Sequence, residues 1–227
     1  MKYAIISDIH ANCAALNAVL EDARKQGCDQ YACLGDIIGY GRQPRECIKI
    51  VQALACPTVM GNFEHNVLNE QAWSSYNPVA RRAFAWMQSQ LSREELVWLR
   101  RLPLVETVES FTIVHASLRE PETWPYVFEK KEAAASLSNQ QTTLCFNGHT
   151  HIPIAFVQSR RDVKGGLYAK IQIEPGHKYL INVGSVGQPR DHNPHAAYVI
   201  FDMRDSTVEL RRVPTDTLPV GPWANRG

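Results

Sequence analysis

The sequence predicts an α/β protein built on two packed β-sheets with helices outside them. Three observations carry this. Strand and helix patterns alternate over the first hundred residues, short strand patterns dominate from about residue 105, and no long linker, repeat or low-complexity segment divides the chain.

Taken in order, residues 3–7 read as a buried strand. Leu16, Val19, Leu20 and Ala23 then recur at helical spacing, and Gly27 closes that helix. Residues 31–34 form a second strand ending at Gly35-Asp36. Pro44 suits a helix first turn, Ile48, Val51 and Leu54 supply the apolar stripe, and Pro57 stops it. Residues 58–60 make a third short strand before Gly61-Asn62. This order predicts parallel pairing with helical crossovers. Residues 76–101 read as helical, with Phe84, Met87 and Leu91 on one face and Leu96 and Leu99 on the next. Strands are expected at 111–114, 144–146, 154–157, 169–173, 179–183, 197–201 and 208–210, with a helix over 130–137. The whole chain, 1–227, reads as one domain with a helical insertion at about 72–101. The Pro- and Gly-rich tail, 214–227, reads as irregular.

Composition narrows the function classes. The 227 residues are 44% hydrophobic and 21% charged, within the globular range. Twenty-four Lys and Arg against 23 Asp and Glu leave a net charge of +1, no basis for non-specific binding to nucleic acid or anionic membranes. No apolar run approaches the ~20 residues that span a bilayer, and no secretion signal is recognisable. The six cysteines form no Cys-x-x-Cys pair, so reduced thiols in a cytoplasmic protein are expected. Nothing in the sequence sets the oligomeric state.

Metal-capable residues stand where apolar strands stop: Asp8 and His10 after the first, Asp36 after the second, Asn62 after the third, His115 after 111–114, and His149 and His151 after 144–146. In an open α/β sheet, ligands bind outside the carboxyl ends of the strands, so these groups should converge. Alternation in an extended segment would turn Asp8 and His10 to one side, and His149 and His151 toward one ion or two. Each fragment alone is ordinary turn or capping chemistry. Recurrence at successive strand ends points to a metal site.

The blocks Ser7-Asp8-Ile9-His10-Ala11-Asn12, Gly35-Asp36-Ile37-Ile38-Gly39-Tyr40-Gly41, Gly61-Asn62, Val114-His115-Ala116 and Gly148-His149-Thr150-His151 resemble, in order, those of the calcineurin-like metallophosphoesterases. Residues 182–191 resemble the glycine-rich segment that follows the last ligand in small bacterial members. The resemblance implies a four-layer αββα sandwich of two mixed sheets with a two-metal centre at one end. It implies Asp8, His10 and His151 as ligands of one ion, Asn62, His115 and His149 as ligands of the other, and Asp36 as the bridge. An oxygen and imidazole donor set suits Mn²⁺, Fe, Zn²⁺, Co²⁺ or Ni²⁺ rather than Ca²⁺. The expected activity is hydrolysis of a small phosphate ester by a dimetal-bound hydroxide, with Asp36 and Asn62 at the reacting centre.

One departure bears on substrate. Most catalytic members of that family carry His then an acidic residue after Gly-Asn, whereas this chain reads Gly61-Asn62-Phe63-Glu64-His65. Phe63 cannot donate a proton, so either His65 supplies the acid or none is supplied. The expectation therefore leans to phosphodiesters or nucleotide-like substrates with low-pKa leaving groups. Protein phosphatase and dinucleoside polyphosphate hydrolase are alternatives, and a non-catalytic scaffold with a retained metal site is the rival of another class. Asn12 and Arg190 are candidate substrate contacts, Arg190 because guanidinium forks match phosphate oxygens. Arg42, Arg119 and His192 are softer candidates of the same kind. Cys13 and the tryptophans Trp73, Trp86 and Trp98 read as packing residues.

Overall fold

Side chains of the first strand alternate between two cores. β1 (Lys2–Ile6) sends Tyr3 and Ile5 into one apolar cluster and Ala4 and Ile6 into another, so it is covered on both faces. The computed structural model of the chain describes residues 1–160, 162–215 and 221, and its strands make two mixed sheets. With β2 (Gln30–Cys33), β8 (Lys170–Gln172), β10 (Ala196–Asp202) and β11 (Thr207–Val213), β1 forms a five-stranded sheet ordered β2-β1-β10-β11-β8. The second sheet contains β3 (Val105–Val108), β4 (Phe111–Val114), β5 (Leu144–Asn147), β6 (Ile154–Ser159), β7 (Asp162–Leu167) and β9 (His177–Asn182), ordered β3-β4-β5-β9-β6-β7. The pairs β1–β2, β4–β5 and β5–β9 are parallel.

The sheets meet over Phe111, whose ring packs edge-on against Tyr3, Phe146 and Phe201 at 5.1–5.5 Å between centroids. Rings in this geometry add directional attraction to the area they bury. Outside the first sheet lie α1 (Cys13–Lys25), α2 (Pro44–Leu54), α3 (Asn62–Leu68), α4 (Pro78–Gln90) and α5 (Arg93–Arg100). Outside the second lies α6 (Lys130–Asn139), which buries Ala133 and Leu137 against Val114, Cys145 and Leu180. The layers are therefore helix, sheet, sheet, helix, the architecture expected.

Local differences have local causes. Residues 58–60 make one parallel bridge, Cys33 to Thr58, because the Met60 N–H turns away to Pro103. The helical stretch 76–101 divides at Leu91, which is extended, and restarts at Ser92 through a reciprocal Ser92–Glu95 capping box. Trp73, Trp86 and Trp98 pack against the helical core cluster, as expected. The predicted irregular tail lies almost wholly outside the described residues; Gly221 donates its N–H to the Tyr40 carbonyl. Among the described residues, no helix is long and apolar enough to cross a membrane.

Candidate metal centre

The carboxyl ends of β1, β2, β4, β5 and β9 lead into loops that meet at one end of the two sheets. Asp8 N–H bonds to the Gly35 carbonyl, Gly148 N–H to His115, and Gly187 N–H to Asp8, which laces the loops together by backbone alone. These approaches leave no room for side chains. A Cβ on Gly61 would strike Asp36, one on Gly148 would strike Ser7 and Asp8, and one on Gly187 would strike the Ile9 carbonyl.

The loops bring together two groups of buried side chains, Asp8, His10 and His151 in one and Asp36, His115 and His149 in the other. Within each group the donor atoms lie within 4.8 Å of one another. Asn62, at the start of α3, adds its Oδ1 at 3.2 Å from His115 Nε2. The reason for convergence differs from simple strand alternation. Asp8, His10, Asp36, His149 and His151 all take left-handed backbone, with φ between 50° and 67°, so each donor is presented by a turn rather than by a strand. His149 and His151 accordingly divide between the two groups.

Hydrogen bonds fix which ring atoms face inward. His10 Nδ1 lies 3.2 Å from the Ile38 carbonyl, His115 Nδ1 2.7 Å from Leu34, and His151 Nδ1 2.5 Å from Gln188. A carbonyl only accepts, so each Nδ1 carries a proton and each Nε2 is the atom turned inward. The Nε2 atoms of His10 and His151 then face each other at 3.0 Å. His115 Nε2 faces Asn62 Oδ1 and, at 3.4 Å, Asp36 Oδ2. Asp8 Oδ1 is buried without a hydrogen-bond partner, and His149 turns its Nδ1 toward His115 Nε2 at 3.2 Å. Acceptors turned on one another in a buried pocket are reconciled by cations, and this donor set fits them.

The charges respond to that crowding. Burial pushes His115 down, but Asp36 and Asp8 outweigh it and raise the ring to about 9, so a proton occupies the place a cation would take. His10 is lowered to about 3 by burial and His151, and His149 to about 4 by burial and His115. Burial would raise both Asp8 and Asp36, yet the surrounding imidazoles hold each below the ordinary carboxylate range. Asp36 is anchored at one oxygen by the Phe63 N–H, and its free Oδ2 lies 3.4 Å from His115 and 3.8 Å from His10, facing both groups.

Other predicted residues find definite places. Asn12 caps α1 by accepting the Ala15 N–H and donates to the Gly187 carbonyl, so its carboxamide braces two loops. Arg190 sits at the exposed rim, bonded to Tyr40 and Gln188, with its guanidinium 5.8 Å from the Tyr40 ring centroid. His65 lies on α3 with its ring 5.6 Å from Trp124, and its Nδ1 is buried without a partner. Cys13 is half-buried, its sulfur accepting from Asn17. Sequence reasoning passed over Glu64, which is fully buried and accepts N–H groups from Asp36, Ile38 and Gly61. The Gly-x-x-Glu spacing at a helix start was its available signal. It also passed over Tyr126, which stacks on His149 at 4.2 Å; no local pattern announces that contact.

A model of the calcineurin-like phosphoesterase superfamily domain matches residues 1–206. The chain belongs to this superfamily. It is 40% identical over 220 residues, 94% of this chain and 87% of the relative, to the uncharacterised protein MJ0912 of Methanocaldococcus jannaschii. The crystal structure of a metallophosphoesterase from Sphaerobacter thermophilus superposes with a TM-score of 0.81 at 38% identity, covering 95% of this chain and 90% of that one. A symmetrical bis(5'-nucleosyl)-tetraphosphatase of Methylococcus capsulatus is 30% identical over 123 residues, 52% of this chain and 43% of its own length. Membership in the superfamily supports a hydrolase acting on phosphate esters.

Proposed function

We propose that the chain is a dinuclear metal-dependent phosphoesterase acting on small phosphodiesters or nucleotide-like esters. The observation that carries this is the inward-facing set of buried acceptors in two adjacent groups. Asp8, His10 and His151 would hold one divalent ion and Asn62, His115 and His149 the other, with Asp36 facing both. When bound, such a pair supplies an activated water and neutralises charge on the phosphoryl oxygens. The chain's own contribution is placement: left-handed turns aim the donors, backbone carbonyls fix the tautomers, and Glu64 ties the Asp36 loop to Gly61. Arg190 at the rim is suited to a substrate phosphate. Phe63 offers no proton to a departing oxygen, which favours leaving groups that need none.

Dinucleoside polyphosphate hydrolysis is the second reading, favoured by the partial similarity to the bis(5'-nucleosyl)-tetraphosphatase. Its phosphoanhydride leaving groups meet the same requirement. The reduced, cytoplasmic setting read from the sequence belongs to the same proposal. The test is elemental analysis of purified protein together with a panel of monoester, diester and anhydride substrates. Two Mn, Fe, Zn, Co or Ni ions per chain with turnover of diesters or anhydrides is the expected result. Two-metal loading without turnover of any ester would favour the scaffold instead.

A further inference from the structure

On the His10 side of the two donor groups lies a cleft of about 240 Å³. Tyr40 and Phe63 form one wall, and Val79, Ala80, Ala83 and Phe84 of α4 form the other. We propose that this cleft holds a nucleobase carried by the substrate, with its phosphate lying at the donor groups. The proposal rests on the phosphoesterase reading above and adds what the ester group is.

Continuity is the first argument. Two of the three rings that line the cleft also pack edge-on against His10, Tyr40 at 4.7 Å and Phe63 at 5.1 Å. Tyr40 and Phe63 touch each other at 4.8 Å, and Phe84 follows Phe63 at 6.2 Å. A planar ring seated among them and a phosphate at His10 can therefore be parts of one molecule. Chemistry is the second argument. Apart from Asn77 at the edge, which caps α4 through Ala80, and the Tyr40 hydroxyl, the lining is apolar and none of it is charged. A phosphate would be excluded from such a wall, whereas an aromatic ring gains both burial and edge contacts there.

Size is the third. Pockets for drug-sized ligands run about 300–1,000 Å³, so this cleft suits a ring system rather than a whole dinucleotide. The rim supplies the fourth. Arg190 lies against Tyr40, so a cation stands beside the ring shared by the cleft and His10, within reach of the linking phosphate of a nucleotide. Phe63, standing where the family usually has histidine, contributes a binding surface in place of a proton donor.

The test compares adenosine 5'-monophosphate with ribose 5-phosphate, which differ by the base alone, as ligands of the Mn²⁺-loaded full chain. Dissociation constants come from calorimetry, and inhibition of ester hydrolysis provides the parallel readout. The base should tighten binding at least about tenfold. Val79→Trp and Ala80→Leu, which fill the cleft from α4, should bring that ratio toward one. Val79 is 49% exposed, so its substitution disturbs no core. Equal binding of the two ligands by the wild type, or a ratio unchanged in both variants, would overturn the assignment while hydrolysis persisted. If the loaded wild type hydrolysed no ester, the phosphoesterase reading itself would fall.

Discussion

The backbone N–H of Phe63 donates to Oδ1 of Asp36 at 2.9 Å. The residue that departs from the family pattern thus still holds the carboxylate that faces both donor groups. Its side chain can be exchanged without removing this bond, which separates a chemical role for the ring from a structural role for the backbone.

Leaving-group dependence should report the missing acid. In the native protein the rate should fall steeply as leaving-group pKa rises, because charge builds on the departing oxygen unassisted. Phe63→His should flatten that slope and help alkyl monoesters most, by about 10²-fold. A shallow native slope that steepened in His65→Ala would assign the acid to His65 and refute this account.

Asp36→Asn should lower metal content at both positions together. The Phe63 bond to Oδ1 survives the change, but the inward-facing Oδ2 loses its charge toward His10 and His115. Elemental analysis after dialysis checks this. Full loading of two ions per chain in Asp36→Asn would contradict the shared role.

Glu64→Gln should destabilise the protein by about 1–3 kcal/mol. Both oxygens of Glu64 accept backbone N–H groups, Oε2 from Asp36 and Gly61 and Oε1 from Ile38. A carboxamide must turn its own N–H₂ toward one of these donors. Thermal denaturation measures the loss, and a melting temperature equal to wild type would show that Glu64 braces nothing.

Stability of the chelated protein should peak near pH 6.5. His10 at about 3 and His149 at about 4 lie below the ordinary 6.5, so as pH falls the unfolded chain takes protons that the folded chain refuses. Glu64, raised to about 7 by burial and Asp36, opposes one of those protons between 4.5 and 7, so the acid loss steepens below 4.5. The stabilisation from His115 is complete below 6.5 and lost as pH rises through about 9. Excess Mn²⁺ should remove the alkaline loss, because the ion replaces that proton. Melting curves across pH, with chelator and with Mn²⁺, test both limbs.

Chelation should abolish activity and leave the fold. Three apolar clusters hold the layers together through side chains other than the donors, so far-ultraviolet circular dichroism should change little. Unfolding on chelation would indicate that the ions are structural.

Legibility in the sequence followed local signal strength. Short apolar runs marked β1, β4 and β5, a helical stripe marked α1, and polar residues at the strand ends named the donors. β7 escaped because Gly165 and Gly166 lie within it and five of its six residues are exposed. α3 escaped because its seven residues carry too little periodicity. Spacing alone left open whether His149 and His151 serve one ion or two; the family resemblance divided them, and in the structure left-handed turns set by the surrounding loops send them to different groups. Glu64 and Tyr126 act through contacts distant in sequence, Glu64 on the Asp36 loop and Tyr126 on His149.

The left-handed turns at Asp8, His10, Asp36, His149 and His151 also set how the protein spends its margin. Residues with a Cβ are disfavoured there by about 1–2 kcal/mol each, a load that remains when no ion is bound. The two-sheet core carries this load, so the fold itself sets the donors as a finished socket. Such a socket admits ions by the distances between its donors, and an ion of the wrong radius must bend backbone rather than swing side chains. Selectivity and fold stability are thereby tied: any change that lets these turns relax should make the protein hardier and less particular about the ion it accepts.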